Sequence, residues 1–391
     1  MAVATVGGIS FALSDEQKGL RELAREFASN EIRPKAAEYD ESSTHPADVI
    51  AKAHELGLMN VHVPEEYGGL GLGTFDGVLI GEELAWGCAG MAVSIVANGL
   101  GAAPVLIAGS DEQKQQWIAP LLDQPLLCSF GLTEPDAGSD VARMKSTAER
   151  RGDEYALNGS KMFITNAGHA AWTVVFASTD KSKGHRGLSA FVVPMDAAGV
   201  TIEKHLDKMG QRATDTSAFA LNDVVVPAAN RLGEEGDGFK TAMQTLDFTR
   251  PGTAAGAIGV AQAAYDYSVE YAKERVTFDV PIAMHQGVNF LVADMATEIE
   301  AARLLCWQAA WLHDQGKRAT LQSSFAKRFA ADTAMKVTTD AVQIFGGYGY
   351  IKEYPVEKLM RDAKLFQIYE GTSQIQRLVI AREIFLPRSE S

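Results

Sequence analysis

The sequence predicts an α+β fold that is mainly α, with a helical N-terminal third, a β-rich centre and a helical C-terminal end. Three observations predict it. Apolar residues recur at helical spacing from Phe11 to about Pro120. Short runs rich in β-branched and aromatic residues, separated by turn residues, replace them between about Leu126 and Asn230. Helical periodicity returns from Gly238 to Phe385. A chain of 391 residues is long enough for two or three domains and a sizeable core. The changes of texture place units at 11–124, 125–236 and 237–391.

In the first unit, Leu20, Leu23, Ala24 and Phe27 form one helical stripe. Ser14-Asp-Glu-Gln17 and Ser110-Asp-Glu-Gln113 read as capping boxes, in which the Ser accepts from the third residue's N–H and the Gln reaches back. The uncharged run Ala85–Ser110 is long enough to cross a bilayer. It carries Ser94, Asn98, Gly99, Gly101 and Pro104, however, and predicts a buried core helix broken near Gly99–Pro104. The uncharged run Pro251–Ala264 reads the same way. In the centre, Thr173–Ser178, Leu188–Val193 and Thr216–Leu221 are strands, with Asn158-Gly159 and Asp223 among the breakers, and the spacing suggests a compact sandwich or barrel. In the last unit, Ala301, Leu304, Leu305, Gln308 and Trp311 share a stripe, punctuated by Gly316 and Gly346-Gly347.

Thirty-six basic against fifty acidic residues give a net charge of −14, which repels nucleic acid and anionic membranes where no basic cluster exists, and none is seen. Three widely spaced cysteines without C-x-x-C fit reduced thiols and no zinc site. Residues 1–10 carry no positive charge and match neither a secretory nor a transit peptide, so a bacterial-type cytoplasm is expected, a mature mitochondrial form reading alike. There is no strand-borne G-x-G-x-x-G, P-loop, H-E-x-x-H or G-x-S-x-G. No metal site is expected.

Three segments occur in order along nearly the whole chain: Leu132-Thr-Glu-Pro-Asp-Ala-Gly-Ser-Asp140 with Lys161-Met-Phe-Ile-Thr-Asn166; Arg275-Val-Thr-Phe278 with His285-Gln286; and Gln343-Ile-Phe-Gly-Gly347 with Gln367-Ile-Tyr-Glu-Gly-Thr-Ser-Gln-Ile-Gln376. Together they resemble the acyl-CoA dehydrogenase family, closest in pattern to its short- and medium-chain members. That resemblance implies two helical domains around a β-domain, FAD held without a Rossmann fold, and desaturation of an acyl-CoA thioester. The reaction needs a base for the α-proton and an acceptor for the β-hydride, and no side chain accepts a hydride.

The resemblance assigns the base to Glu370, where apolar neighbours such as Ile368 and Tyr369 would raise its pKa. Read alone, Glu370 is a solvated carboxylate in a turn before a helix capped by Ser373 and Gln376. Relatives with the base on an earlier helix carry it at the position of Thr249, which cannot serve. Phe130, Leu132, Thr133, Gly138, Ser139, Phe163 and Thr165 would hold the flavin ring and the top of CoA, with Phe163 standing where the family commonly has Trp and Phe130 where Tyr is common. Arg275, Thr277, Phe278, Gln286, Gln343 and Gly347 would reach the cofactor of a neighbouring subunit, Arg275 on the pyrophosphate. Thr372 and Gln374 complete the cofactor set. Asp279 departs from the family's usual Gly after Phe278, and a carboxylate there is expected to bend the backbone or crowd the phosphates. Ser139, Asp247 and Arg250 would approach CoA, although Arg250 beside Pro251 also reads as a helix start. Val96 and Leu100, with Ala92 and Thr253, would line the acyl chain, and the resemblance adds Tyr369 and Gly371 to the substrate-binding set. The small apolar floor suits a straight short or medium chain.

The implied partners are an acyl-CoA substrate and an electron-transferring flavoprotein, and the implied assembly is a homotetramer built as a dimer of dimers. An acyl-CoA oxidase, a non-dehydrogenase flavoprotein of the superfamily and a structural helical scaffold are the competing readings.

Overall fold

The computed structural model describes residues 11–386; residues 1–10, expected to be neither a secretory nor a transit peptide, lie outside them. Seven helices come first: α1 (Asp15–Phe27), α2 (Ala36–Ser42), α3 (Ala47–Glu55), α4 (Thr74–Gly87), α5 (Ala89–Ala108), α6 (Asp111–Trp117) and α7 (Pro120–Asp123). Both capping boxes form. Ser14 and Gln17 exchange two hydrogen bonds at 3.1 Å, and Ser110 and Gln113 do the same at 2.8 and 3.3 Å. Helix α5 is long and apolar enough to cross a membrane by length and composition, but it packs against α4 and the strand that follows it. The expected break near Gly99–Pro104 is absent: the helix runs unbroken through Pro104. Tertiary packing accounts for this, because the buried Asn98 side chain donates to the Leu126 carbonyl at 2.8 Å and accepts from the Cys128 N–H at 3.0 Å, pinning the helix to the chain entering the sheet.

The centre is one sheet of eight strands: β1 (Leu127–Gly131), β2 (Thr147–Arg151), β3 (Glu154–Thr165), β4 (Ala170–Ser178), β5 (Leu188–Pro194), β6 (Val200–His205), β7 (Thr216–Pro227) and β8 (Arg231–Leu232). The order is β6-β7-β3-β2-β4-β5-β8, with β1 parallel to β4. Val174, Phe176, Ala190 and Val192 join one core, while Val175, Ala177, Phe191 and Val193 join another with Tyr155, Leu157, Phe219 and Val226. Period-2 alternation therefore buries both faces of β4 and β5. Asn158-Gly159 and Asp223 do not break strands, contrary to expectation. They lie inside β3 and β7 at a register shift, where the Asn158 side chain accepts from the Asp223 N–H at 2.8 Å. Turn-forming residues here make a β-bulge.

The last part comprises α8 (Gly238–Glu274), the hairpin β9 (Val276–Thr277) and β10 (Val280–Pro281), then α9 (Gln286–Asp314), α10 (Thr320–Phe345), α11 (Val356–Phe366) and α12 (Ser373–Phe385). Helix α8 packs against α4, α9 and α10 through Ala254, Ala255, Ala257, Ala261 and Ala264, facing Ala326, Ala330 and Ala334. A Cβ on Gly259 would sit 2.1 Å from the Glu82 carbonyl, so α8 and α4 touch at backbone distance. The stripe from Ala301 to Trp311 faces outward, with Leu304 and Trp311 exposed, while Ala302, Cys306, Ala309 and Ala310 face the core. At the other end of α9, Asp314 accepts from the N–H groups of Thr74 and Phe75 at 2.6 and 2.9 Å, capping α4 from across the molecule.

Two local devices fix the loops that matter below. The loop after β1 is held by Lys161 of β3, wholly buried, whose ammonium donates to Glu134 at 2.9 Å and to the carbonyls of Phe176 at 2.7 Å and Leu132 at 3.3 Å. Glu134 also accepts from the N–H groups of Lys145 and Ser146. Burial alone would raise the Glu134 carboxyl, yet Lys161 and these donors hold it below the usual range. The β9–β10 hairpin turns on Phe278 and Asp279, with φ of 50° and 66°. Both central residues are left-handed, as a type I′ turn requires. This explains how the chain accommodates the departure from Gly: Asp is among the few residues that tolerate this conformation.

Breaking the buried pair by Lys161→Met should destabilise the fold by about 3–5 kcal/mol, because an unpaired carboxylate is left inside, and chemical denaturation will read this. Conversely, Asp279→Gly should stabilise by about 0.5–1 kcal/mol by relieving the left-handed turn, measured as a higher midpoint in the same titration.

Candidate active site

The turn before α12 places Glu370 and Gly371 in left-handed backbone, with φ of 56° and 86°. Three hydrogen bonds brace it: Lys327 of α10 donates to the Gly371 carbonyl at 2.6 Å, and the Gln376 amide donates to the carbonyls of Glu370 and Gly371 at 3.2 and 3.1 Å. The Glu370 carboxylate, half-buried, accepts from the Thr249 hydroxyl of α8 at 3.0 Å. Burial pushes this carboxyl above its ordinary range, opposed by the Thr249 hydroxyl and the charges of Arg250 and Lys327. A carboxylate held in this way is a stronger base than one in water. Tyr369 meets Phe366 edge-on at 5.5 Å. The cap of α12 is Thr372, whose hydroxyl accepts from the Ile375 N–H at 3.0 Å, and not Ser373, whose hydroxyl donates to Asp332 at 2.9 Å. Gln374 is exposed on the first turn.

Arg250 does not start a helix. It lies inside α8, 4% exposed, paired with Asp247, which in turn accepts from the Thr320 hydroxyl at 2.7 Å. Pro251 lies inside α8, where the buried Cys306 thiol of α9 donates to its carbonyl at 3.2 Å.

Phe130, Leu132 and Thr133 lie at the end of β1 and just beyond it, next to the middle of β3, where the Met162 N–H donates to the Thr133 carbonyl at 3.0 Å. Phe163 is 63% exposed at φ 61°, a conformation uncommon for a bulky residue, and it turns the ring outward. Thr165 ends β3, half-buried. Gly138 and Ser139 are exposed on the loop, with nothing within 4 Å of a would-be Cβ on Gly138. The buried amide of Asn166 donates to the Ser94 carbonyl at 3.0 Å and so ties this group to α5. On α5, Val96 is 42% exposed and Leu100 half-buried, whereas Ala92 is buried in the N-terminal core and forms no open floor. Thr253 is half-buried on α8.

Arg275, Thr277 and Gly347 come together around a cavity of about 420 Å³ with Tyr271, Phe345 and Tyr348. Phe278 stands edge-on to His285 at 5.8 Å, Gln286 begins α9 and Gln343 sits exposed on the last turn of α10. This group is not near Glu370 in one chain: Lys327, which holds the Glu370 turn from the second turn of α10, and Phe345, at the end of that helix, are roughly 27 Å apart at 1.5 Å per residue. An outward aromatic ring beside an open glycine loop, and an arginine over a glycine-floored cavity, suit the ring and the phosphates of a flavin nucleotide respectively. Among the described residues, no group of three or more His, Cys, Asp or Glu is placed to hold a metal ion.

Lys161, Glu134, Asn166 and Lys327 carry site architecture that sequence reasoning left without a role. Lys327 had a readable signal: Ser323, Lys327, Ala330 and Ala334 share one helical face, which puts a lysine on the small-residue side of α10.

Family models for the N-terminal, middle and C-terminal domains of acyl-CoA dehydrogenases match residues 14–125, 129–224 and 236–385. The chain is 47% identical over 378 residues to the probable acyl-CoA dehydrogenase YngJ of Bacillus subtilis (strain 168), covering 96% of this chain and all of that one. Two solved structures superpose closely. One, butyryl-CoA dehydrogenase from Megasphaera elsdenii, has a TM-score of 0.94 and 44% identity, covering 96% of this chain and 100% of that chain. The other comes from work on the electron transferring flavoprotein of Acidaminococcus fermentans and flavin-based electron bifurcation, with a TM-score of 0.95 and 45% identity, covering 97% and 100%. Matched by all three family models along nearly its whole length, and 47% identical to a probable acyl-CoA dehydrogenase, the chain belongs to the acyl-CoA dehydrogenase family.

Proposed function

We propose that this acyl-CoA dehydrogenase converts a saturated, straight short- or medium-chain acyl-CoA to its trans-2-enoyl-CoA, with Glu370 as the base. The observation that carries the reading is the half-buried Glu370 carboxylate, raised above its ordinary pKa and aimed by Thr249 and a braced left-handed turn. Glu370 takes the α-proton as the Cα–H bond breaks, and that electron pair forms the new double bond as hydride leaves the β-carbon. FAD, when bound, supplies the acceptor for that hydride. Phe163, Thr133 and Thr165 would seat its ring, and Arg275, Thr277 and Gly347 would receive its phosphates. Val96 and Leu100 of α5 would lie along the acyl chain, and Asp247 and Arg250 would act through the shape of the CoA end. The resemblance to butyryl-CoA dehydrogenase supports the short end of the range. Because each buried methylene is worth about 0.8 kcal/mol, preference should be graded across lengths.

The roughly 27 Å between the two site groups supports a cofactor shared between subunits. We read the outward stripe of Leu304 and Trp311 as surface covered in a dimer of dimers, and the chain as three units, 11–124, 125–236 and 237–391, in a bacterial-type cytoplasm. The likeness to the Acidaminococcus structure supports an electron-transferring flavoprotein as acceptor.

Anaerobic titration with acyl-CoAs of graded length should bleach the flavin with a broad optimum, and Glu370→Gln should slow bleaching by about a thousandfold. Undiminished bleaching in the variant would remove Glu370 as base. Since only the ionised form accepts a proton, the wild-type rate should fall as pH drops through the raised Glu370 pKa, an acid limb lying above that of a free carboxylate. Refolding Glu370→Gln together with an Arg275→Ala chain should restore activity neither homomer shows, because hybrid dimers hold one site with both residues native.

A further inference from the structure

Lys327 is wholly buried, has no carboxylate within ion-pairing distance among the described residues, and spends its hydrogen bond on a carbonyl one residue past the base. A buried ammonium without a contacting anion is costly, and ion pairing alone does not explain this one. The groups facing Glu370 can be enumerated: the Thr249 hydroxyl and the Arg250 guanidinium from α8, Lys327 from α10, and the Tyr369 ring from its own turn. Arg250 is already matched by Asp247. Lys327 faces Glu370 and Arg250, with Asp332 one turn further along its own helix. Among the described residues, two cations bear on the base, and of these Lys327 alone lacks a carboxylate in contact; it also grips the backbone that aims the base.

Resting on the reading of Glu370 as base, we propose that Lys327 is the positioning residue of this site. It latches the Glu370–Gly371 turn through the Gly371 carbonyl, and its charge keeps the desolvated Glu370 ionised in the working range. Burial draws the Lys327 ammonium down to about 8, against the pull of Glu370. The cation is therefore present at neutral pH and lost in mild alkali. Removing it leaves burial opposed only by Thr249 and Arg250, so the Glu370 pKa must rise. The latch and the charge are separable: a neutral amide at this position can still donate to the carbonyl.

The test uses the flavin-loaded enzyme and the variants Lys327→Gln, Lys327→Met and Lys327→Arg. Two quantities are followed against pH: kcat, and the infrared carboxyl band that disappears in Glu370→Gln. In Lys327→Gln the acid limb of kcat and the band's midpoint should both move up by about one pH unit or more, the scale set by a nearby opposite charge. Lys327→Met should add a loss of kcat on the plateau, and Lys327→Arg should return the limb towards wild type. If Lys327→Met does not fold, Lys327→Gln carries the test, since it keeps the donor. An unmoved limb and an unmoved band in Lys327→Gln would overturn the inference. If Glu370→Gln kept full turnover, the base assignment would fall by itself, while the band would still report whether Lys327 governs that carboxyl.

Discussion

Close approach of helices is the constraint from which the rest follows. Helix α8 meets α4, α9 and α10 along Ala and Gly, and at Gly259 the approach is backbone to backbone. Helices packed this tightly leave no room for water between them. Every polar group carried into that region must find its partner inside the protein. The carboxylate turn at Glu370 is built where α8 and α10 converge, so its desolvation is a product of alanine packing and not of a separately built pocket.

The same constraint decides how charge is handled. Glu82 and Arg303 face each other across α4 and α9 at 2.9 Å, Lys358 answers Asp362 at 2.6 Å, and Lys161 answers Glu134 at 2.9 Å. These pairs are matched, the first and last joining separate elements and the second lying within α11. Glu370 and Lys327 are the exception, coupled through the medium and a backbone carbonyl without direct contact. Such a pair keeps part of its electrostatic cost unrelieved, which is the state a group needs if it is to change protonation during turnover.

Much of this was legible in the sequence. The capping boxes at Ser14 and Ser110 are local hydrogen-bond patterns, and they form as read. The segment around Glu370 forms a braced turn beside α8 and α10, and Arg275, Thr277 and Gly347 meet at one cavity. What failed to read was tertiary. Asn158-Gly159 looks like a turn until Asp223 is set opposite it in β7. Pro104 looks like a break until Asn98 anchors α5 to the sheet. Arg250 looks like a helix start until Asp247, itself held by Thr320 of α10, pairs with it inside α8. In each case a partner distant in sequence supplies the missing bond, and local propensity is overridden.

The backbone contact at Gly259 also has an evolutionary side. Because no side chain fits between α8 and α4 there, the wall of the site contributed by α8 can accept almost no change without moving the base itself. Helix α5 is under no such lock at Val96, which is open to solvent, or at Leu100, which is half-buried. On the proposed placement of the acyl chain along Val96 and Leu100, substrate range would be free to drift along α5 while α8 stays fixed, so that one scaffold could radiate into enzymes of different acyl preference without being rebuilt.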